Sequence, residues 1–291
     1  MLTCGPDVFY GEKLGGDIVA GLTLITVPIG NLEDITIRAK NKLMECSTIV
    51  AEDTRVLKEL LTRLEIDYSE KRIWAFHDHS EETSLQGMLK AMKEGEVHYV
   101  SDAGSPVISD PALPLVKLAI ENSVDIQTLP GVNAPMAALE LSGLPATPFH
   151  FHGFIGRDKG KLDQFISLMS YQYGTHIFFE GVSRIKKTMD HLSRELPEWD
   201  FAICRELTKT YQSVYRFKGS KWEKTKVDVV EKGEFVILAH NSQKKNTATG
   251  EVSKLAQEIL AKGAKPKLLS KLLAEITGEN SKEIYSKLDR R

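Results

Sequence analysis

The sequence predicts an α/β protein: two α/β domains followed by a small helical module. Three observations carry that reading. Short runs rich in β-branched and aromatic residues alternate with amphipathic stretches, the pattern of strands joined by helices across a parallel sheet. In the first half these runs end in polar or Gly/Pro-rich turns. A Pro- and Gly-rich break at residues 141–148 divides this half from a second of similar pattern, and the last forty residues turn basic and helical. The expected organisation is a tail over 1–21, a first domain over 22–147, a second over 148–247 and the module over 248–291.

Residues 22–27 form the first strand, which breaks at Pro28-Ile29-Gly30-Asn31-Leu32, and a helix follows over 34–46. Strand 48–51 leads through Glu52-Asp53-Thr54-Arg55 into a helix with Val56, Leu57, Leu60, Leu61 and Leu64 on one stripe. Arg55 falls outside that stripe and faces a cleft or solvent, where a guanidinium can grip a phosphate. Strand 73–76 ends at His77-Asp78-His79-Ser80, and Leu85, Met88, Leu89 and Met92 mark the next helix. The fourth strand, 97–100, stops in Ser101-Asp102-Ala103-Gly104-Ser105-Pro106. A helix restarts at Asp110-Pro111, with Ser109 or Asp110 as its cap and Pro111 in its first turn. Strand 126–129 runs into Pro130-Gly131-Val132-Asn133-Ala134-Pro135 and a helix of small residues.

In a parallel sheet these strand ends share one edge, so the five turns converge, and ligands bind beyond such an edge. Small residues at 101–106 let a ligand approach the backbone, and amides at a helix start can hold an anion. A turn tightened only for packing is the alternative, in which Asp102 caps its own turn.

In the second half, strands are expected at 149–154, 177–179, 201–204 and 234–239, the last as an edge strand, with helices ending near Tyr173 and covering 184–195. Strand 201–204 enters Arg205-Glu206-Leu207-Thr208-Lys209, either a salt-bridged surface turn or a group that orients RNA or braces the domains. In the module, Val252, Leu255, Ala256, Ile259 and Leu260 form one stripe and Leu268, Leu269, Leu272, Leu273 and Ile276 a second. Gly278 breaks the chain, Asn280 or Ser281 caps a third helix, and Tyr285 and Leu288 point inward. Nine Lys and Arg against five Asp and Glu from Val252 onward suit either a solvated hairpin or a nucleic-acid contact, with Lys271 and Lys282 as candidates.

Net charge is −2, so any nucleic-acid contact must come from such a local patch. Cys4, Cys46 and Cys204 are far apart, which argues against a disulfide framework or zinc cluster and fits a reducing cytoplasm. No apolar run reaches membrane-spanning length, and the first residues lack the pattern of a signal peptide.

The turns also carry a resemblance. Pro28-Ile29-Gly30-Asn31-Leu32-Glu33-Asp34-Ile35-Thr36 is similar to the first motif of the bacterial 16S rRNA cytidine 2′-O-methyltransferases, tetrapyrrole methylase-like (class III) S-adenosylmethionine enzymes. Ala51 to Arg55, His77-Asp78-His79, Ser101 to Pro106, Ser142-Gly143-Leu144-Pro145, Arg205 to Lys209 and Gly233-Glu234-Phe235-Val236 resemble further motifs of that family, in the family's order. The chain departs from the family's pattern at Ser183, Ala112, Val132 and the 156–160 loop.

The resemblance implies S-adenosylmethionine in a cleft between the two domains of a homodimer, with a ribose hydroxyl of 16S rRNA in the small subunit as acceptor. Carried over by position, Pro28, Gly30, Asp102, Ala103, Gly104 and Pro106 hold the cofactor, with Phe179, Glu180, Leu207 and Glu234 from the second domain. His77, His79 and Glu52 are candidates for the ribose proton, since His is readily poised near neutral pH; helix capping and packing compete for the same residues. Arg55, Arg205, Lys209, Lys271 and Lys282 are the RNA-binding candidates, and no metal site is expected. Two other readings stay open: a small-molecule, tetrapyrrole-type methyltransferase and a non-catalytic ribosome-binding factor.

Overall fold

The computed structural model describes residues 20–77, 82–242, 256, 258–260, 262–277 and 280–288. The chain divides into two compact units. The first holds the described residues up to Ala137 together with Glu206–Gln212; the second holds Ala138–Arg205 and the described residues from Ser213 onward.

The first unit is built on strands β1 (Gly21–Ile25), β2 (Thr48–Ala51), β3 (Arg72–Ala75), β4 (Glu96–Val100) and β5 (Ile126–Leu129). They form one sheet in the order β3-β2-β4-β1-β5, with every pair parallel. Helices α1 (Ile37–Glu45), α2 (Thr54–Arg63), α3 (Glu82–Glu94), α4 (Leu113–Glu121) and α5 (Ala134–Ser142) follow the strands in turn. Successive side chains on a strand point to opposite faces, and a parallel sheet is covered on both. Ile49 and Val100 therefore join Leu43, Leu57 and Leu61 in one core, while Val50 and Tyr99 join Met88, Met92 and Leu115 in the other. Each such Leu or Ile removed from water contributes roughly 1.5–3 kcal/mol.

Two local expectations change. Helix α4 starts at Leu113 and carries Pro114, not Pro111, in its first turn; Asp110 Oδ1 instead accepts the N–H groups of Val107 and Ala112 in the turn that leads into it. Val56 is exposed: α2 meets the sheet through Leu57 and Leu61, four residues apart, and Val56 lies off that line.

The second unit holds β6 (Phe149–Phe154), β7 (Gly174–Glu180), β8 (Asp200–Arg205), β9 (Ser213–Lys218) and β10 (Phe235–Asn241), in the order β6-β7-β10-β8-β9. Helices α6 (Lys159–Tyr171), α7 (Ile185–Glu195) and α8 (Trp222–Thr225) belong with it. The expected edge strand at 234–239 is a correction: β10 is central and antiparallel to both β7 and β8. Its seven residues are all buried, and the first five, Phe235 to Ala239, are apolar on both faces, as a central strand requires. Strand β9, which alternates basic with aromatic and aliphatic residues, takes the edge instead.

In the C-terminal module, α9 (Pro266–Thr277) and α10 (Ser281–Leu288) close over Ala256, Leu269, Leu273 and Ile284. The Asn280 side chain accepts the Lys282 N–H at 2.9 Å, which starts α10 as expected. Leu268, Leu272 and Tyr285 are exposed rather than inward, because a hairpin this small buries only the narrow Leu269–Leu273 stripe. Val252, Leu255 and Gly278 lie outside the described residues. No helix among the described residues is long and apolar enough to cross a membrane.

Candidate functional site

Because the first sheet is wholly parallel, all five strands deliver their C-terminal turns to one edge. The turns are bonded to one another. Val27 and Gly104 exchange backbone hydrogen bonds of 3.1 Å each way, which ties the Pro28–Asn31 turn to the 101–106 turn. Thr26 Oγ1 and Ser105 Oγ lie 3.3 Å apart in the same seam. Gly104 has φ +75°, and a Cβ there would meet Ile29 Cγ2 at 3.2 Å and Val132 O at 3.7 Å. Glycine is therefore demanded at this position by conformation and by space. The turns after β1, β4 and β5 meet around it.

The turn after β2 joins through Asp102, whose Oδ1 accepts the Asp53 N–H at 2.9 Å. Partial burial pushes the Asp102 carboxyl above the usual range, and the neighbouring Asp53 and Asp110 charges add to this; the hydrogen bond from Asp53 and the charge of His77 oppose it. Asp53 caps α2 and is gripped by Arg55, with Nε 3.0 Å from Oδ1 and Nη2 2.5 Å from Oδ2. This fork holds the Asp53 carboxyl far below the usual range. The Arg55 side chain otherwise stands in solvent.

The segment Glu206–Gln212 supplies the other wall. Thr208 Oγ1 accepts the Asn31 N–H at 3.1 Å, and a Cβ on Gly30 would collide with Lys209 Cγ and sit 3.0 Å from Leu207 O. Leu207 is buried, and Lys209 Nζ pairs with Glu206 at 3.1 Å. Of the six non-glycine residues with positive φ among those described, four are Val107, Ser109, Glu206 and Thr208. Backbone strain thus gathers in the two segments nearest the rim, as it does at functional sites.

Pro28, Gly30, Asp102, Ala103, Gly104, Pro106, Glu52, Arg55, His77, Leu207 and Lys209 accordingly share the first unit. His79 and Asp78 lie outside the described residues. The remaining candidates belong to the second unit, where several polar groups are used internally. Glu180 is buried; its Oε1 accepts the Gly181 N–H at 2.7 Å and pairs with Arg184, and its Oε2 accepts Thr188 Oγ1 at 2.7 Å. Arg205 is 8% exposed, and its Nε donates to Lys232 O at 2.6 Å, so it braces its own sheet. Phe179 packs edge-on against Phe151 and Phe154, with ring centroids 5.2 Å apart in each pair. Glu234, Lys271 and Lys282 are exposed.

Sequence reading took Asp110 only as a helix cap, and gave Thr208, within the Arg205–Lys209 turn, no role of its own. Asp110 Oδ1 accepts the N–H groups of Val107 (3.1 Å) and Ala112 (2.8 Å), and its Oδ2 accepts the Tyr99 hydroxyl (3.0 Å). Burial raises the Asp110 carboxyl while these donors pull it back. A Tyr at the end of an apolar strand, which needs a partner once buried, was the available signal. The departure at Ala112 costs nothing, since this residue is helical, with φ −65°, and alanine takes that conformation without strain.

A sulfonium-bearing, amine-bearing methyl donor suits this rim. Its cationic groups would offset the Asp53 and Asp110 charges that add to the effect of burial on Asp102, and the glycine-lined turns leave backbone within reach. Among the described residues, no group of three or more His, Cys, Asp or Glu is placed to hold a metal ion.

Residues 21–222 match the tetrapyrrole (corrin/porphyrin) methylases. The ribosomal RNA small subunit methyltransferase I of Halalkalibacterium halodurans is 38% identical over 225 residues, 77% of each chain. That of Bacillus subtilis is 32% identical over 272 residues, 91% of this chain and 92% of its own. Among solved structures, the uroporphyrin-III C-methyl transferase of Thermus thermophilus, complexed with S-adenyl homocysteine, has a TM-score of 0.50 at 19% identity, covering 75% of this chain and 96% of its own.

Proposed function

Given that the chain belongs to the tetrapyrrole (corrin/porphyrin) methylase family, and to its ribosomal RNA small subunit methyltransferase I branch, we propose that it methylates the 2′-hydroxyl of a cytidine in 16S ribosomal RNA. The cofactor is S-adenosylmethionine, which supplies an already activated methyl group. The observation that carries the site is the Val27–Gly104 bridge, which makes one surface of the turns that follow β1 and β4.

The residues mostly align the reactants. Good alignment lowers a barrier by about 7–11 kcal/mol, whereas a general base adds about 10²–10⁴-fold in rate. Pro28, Gly30, Asp102, Ala103, Gly104 and Pro106 hold the cofactor, with Leu207 laid over Gly30. Phe179 and Glu234 complete the contacts, and Glu180 acts through the backbone that it fixes at Gly181. His77 and His79 take up the ribose proton. Arg55, Lys209, Lys271 and Lys282 meet RNA phosphates, and the active form is a cytoplasmic homodimer.

The test is a transfer of labelled methyl to small subunits that lack the modification, followed by nucleoside analysis. Label in 2′-O-methylcytidine is expected. Label on a base, or none in RNA, overturns the proposal. Reversing charge with K271E and K282E should lower this transfer; if a tetrapyrrole were the acceptor, methylation of it would be untouched.

A further inference from the structure

We infer that Thr208 is a positioning residue for methyl transfer: its hydroxyl holds the 206–212 segment closed over the cofactor turn at Gly30. The inference rests on the function proposed above and concerns how one wall of that site is kept in place.

The segment first fixes its own shape. Lys209 N–H donates to Glu206 O and Gln212 N–H donates to Lys209 O, each at 3.0 Å. Gln212 Oε1 accepts the Thr208 N–H at 2.7 Å, and Lys209 Nζ pairs with Glu206 Oε1 at 3.1 Å. Thr208 thus spends its N–H within the segment and its side chain on the turn that follows β1, where Oγ1 accepts the Asn31 N–H at 3.1 Å. Asn31 is held from its other side, since its Oδ1 accepts the Glu33 N–H at 3.1 Å. One residue earlier in each segment, the buried Leu207 has its carbonyl oxygen 3.0 Å from where a Gly30 Cβ would stand. The missing Cβ and the hydroxyl therefore serve one close approach: glycine opens the space, and Thr208 keeps the Leu207 backbone in it.

The backbone conformation shows what this position takes from threonine. Thr208 has φ +63°, a region that Gly or Asn enters readily and a β-branched residue enters only at a cost. Among the described residues, the other β-branched residue with positive φ is Val107, whose side chain packs against an apolar core. Thr208 is half-buried, and its side chain is used in the bond to Asn31. Such strain persists only where the surroundings over-determine it, and the bonds to Asn31 and Gln212 do so here. Glycine would serve the turn alone; the wall over Gly30 needs the hydroxyl.

S-adenosylhomocysteine binding by calorimetry, together with melting temperature, tests this with wild type, T208S, T208V and T208G. T208V keeps the branched shape but leaves the Asn31 N–H without its acceptor, so affinity should fall about tenfold, the scale of a partly buried donor left unpaired. In methyl transfer this loss should appear in the KM for the cofactor, with kcat at saturating cofactor within about twofold of wild type. T208S, which keeps the hydroxyl, should bind within about threefold of wild type. T208G relieves the backbone but lacks the hydroxyl, so affinity should fall about tenfold while melting stays within about 2 °C of wild type. G30A pushes the segment off from the opposite side; if both residues serve one contact, adding T208V to G30A should cost less than about twofold more. Affinity that follows melting temperature across the series, T208V that binds like wild type, or losses that multiply in the double variant would each overturn the inference. Exchange of the Asn31 amide without cofactor reads the bond itself and should be about tenfold faster in T208V than in wild type or T208S. If the wild type binds no S-adenosylhomocysteine, the cofactor reading above falls, and this exchange alone decides whether Thr208 holds the segment: faster in T208V supports it, and equal rates reject it.

Discussion

The two sheets use their polar residues in opposite ways. In the first, the strands are parallel, so their turns accumulate at one edge, and Asp53, Asp102, Asp110 and Glu52 gather there with strained backbone around them. In the second, the central strand runs against both of its neighbours and the turns are distributed to both ends. Its polar groups close on each other instead: Glu180 on Arg184 and Thr188, and Arg205 on Lys232 O. Three imidazoles do the same. His176 Nε2 donates to Gln172 O, so its Nδ1 accepts from His152 Nε2 at 3.0 Å, and His150 stacks on it at 5.0 Å. A parallel sheet offers an open edge for chemistry, and a mixed one spends its polar groups on stability.

The contrast breaks most sharply if a core change in the second unit alters chemistry. Phe178 is fully buried between α6 and the sheet core. F178A should lower unfolding free energy by about 3–5 kcal/mol in a denaturant titration, with the cofactor KM of the folded fraction unchanged. Gly104 makes the reverse case. G104V puts a branched residue at φ +75° against Ile29 and should weaken S-adenosylhomocysteine binding about a hundredfold. Its circular dichroism should stay native.

The histidines sharpen the comparison through pH. Burial lowers His176 to about 4 from an ordinary value of 6.5, and lowers His152 as well. The unfolded chain therefore binds protons that the fold excludes. Stability is full above the unfolded value and declines as pH falls from about 6.5 toward 4, by roughly 3 kcal/mol at most for His176. Melting temperature against pH measures this, and H176F should flatten the decline. Arg55 is the mildest case. R55A should leave melting and cofactor affinity as they are and reduce RNA methylation about threefold, with a shallower salt dependence.

Local signals made much of this legible. The first sheet's strands, its five turns and the glycines at 30 and 104 follow from composition and spacing, because a βα unit is decided by its own residues. The second sheet was harder. Strand β10 looked like an edge from its position in the chain, and its central place depends on which strands pair with it. Likewise, no spacing announces that Thr208 reaches Asn31 across 177 positions, or that the Asp102 carboxylate reaches Asp53 N–H across 49.

By itself, the sequence determined the alternation of strands and helices, the rim turns and the family, all properties of short segments and their order. The tertiary structure alone decided which turn Asp102 joins, which cations are consumed inside a sheet, and which loop covers Gly30. The physical reason is range: propensity and periodicity act over a few residues, whereas strand pairing and side-chain hydrogen bonds join residues that only the closed chain brings together.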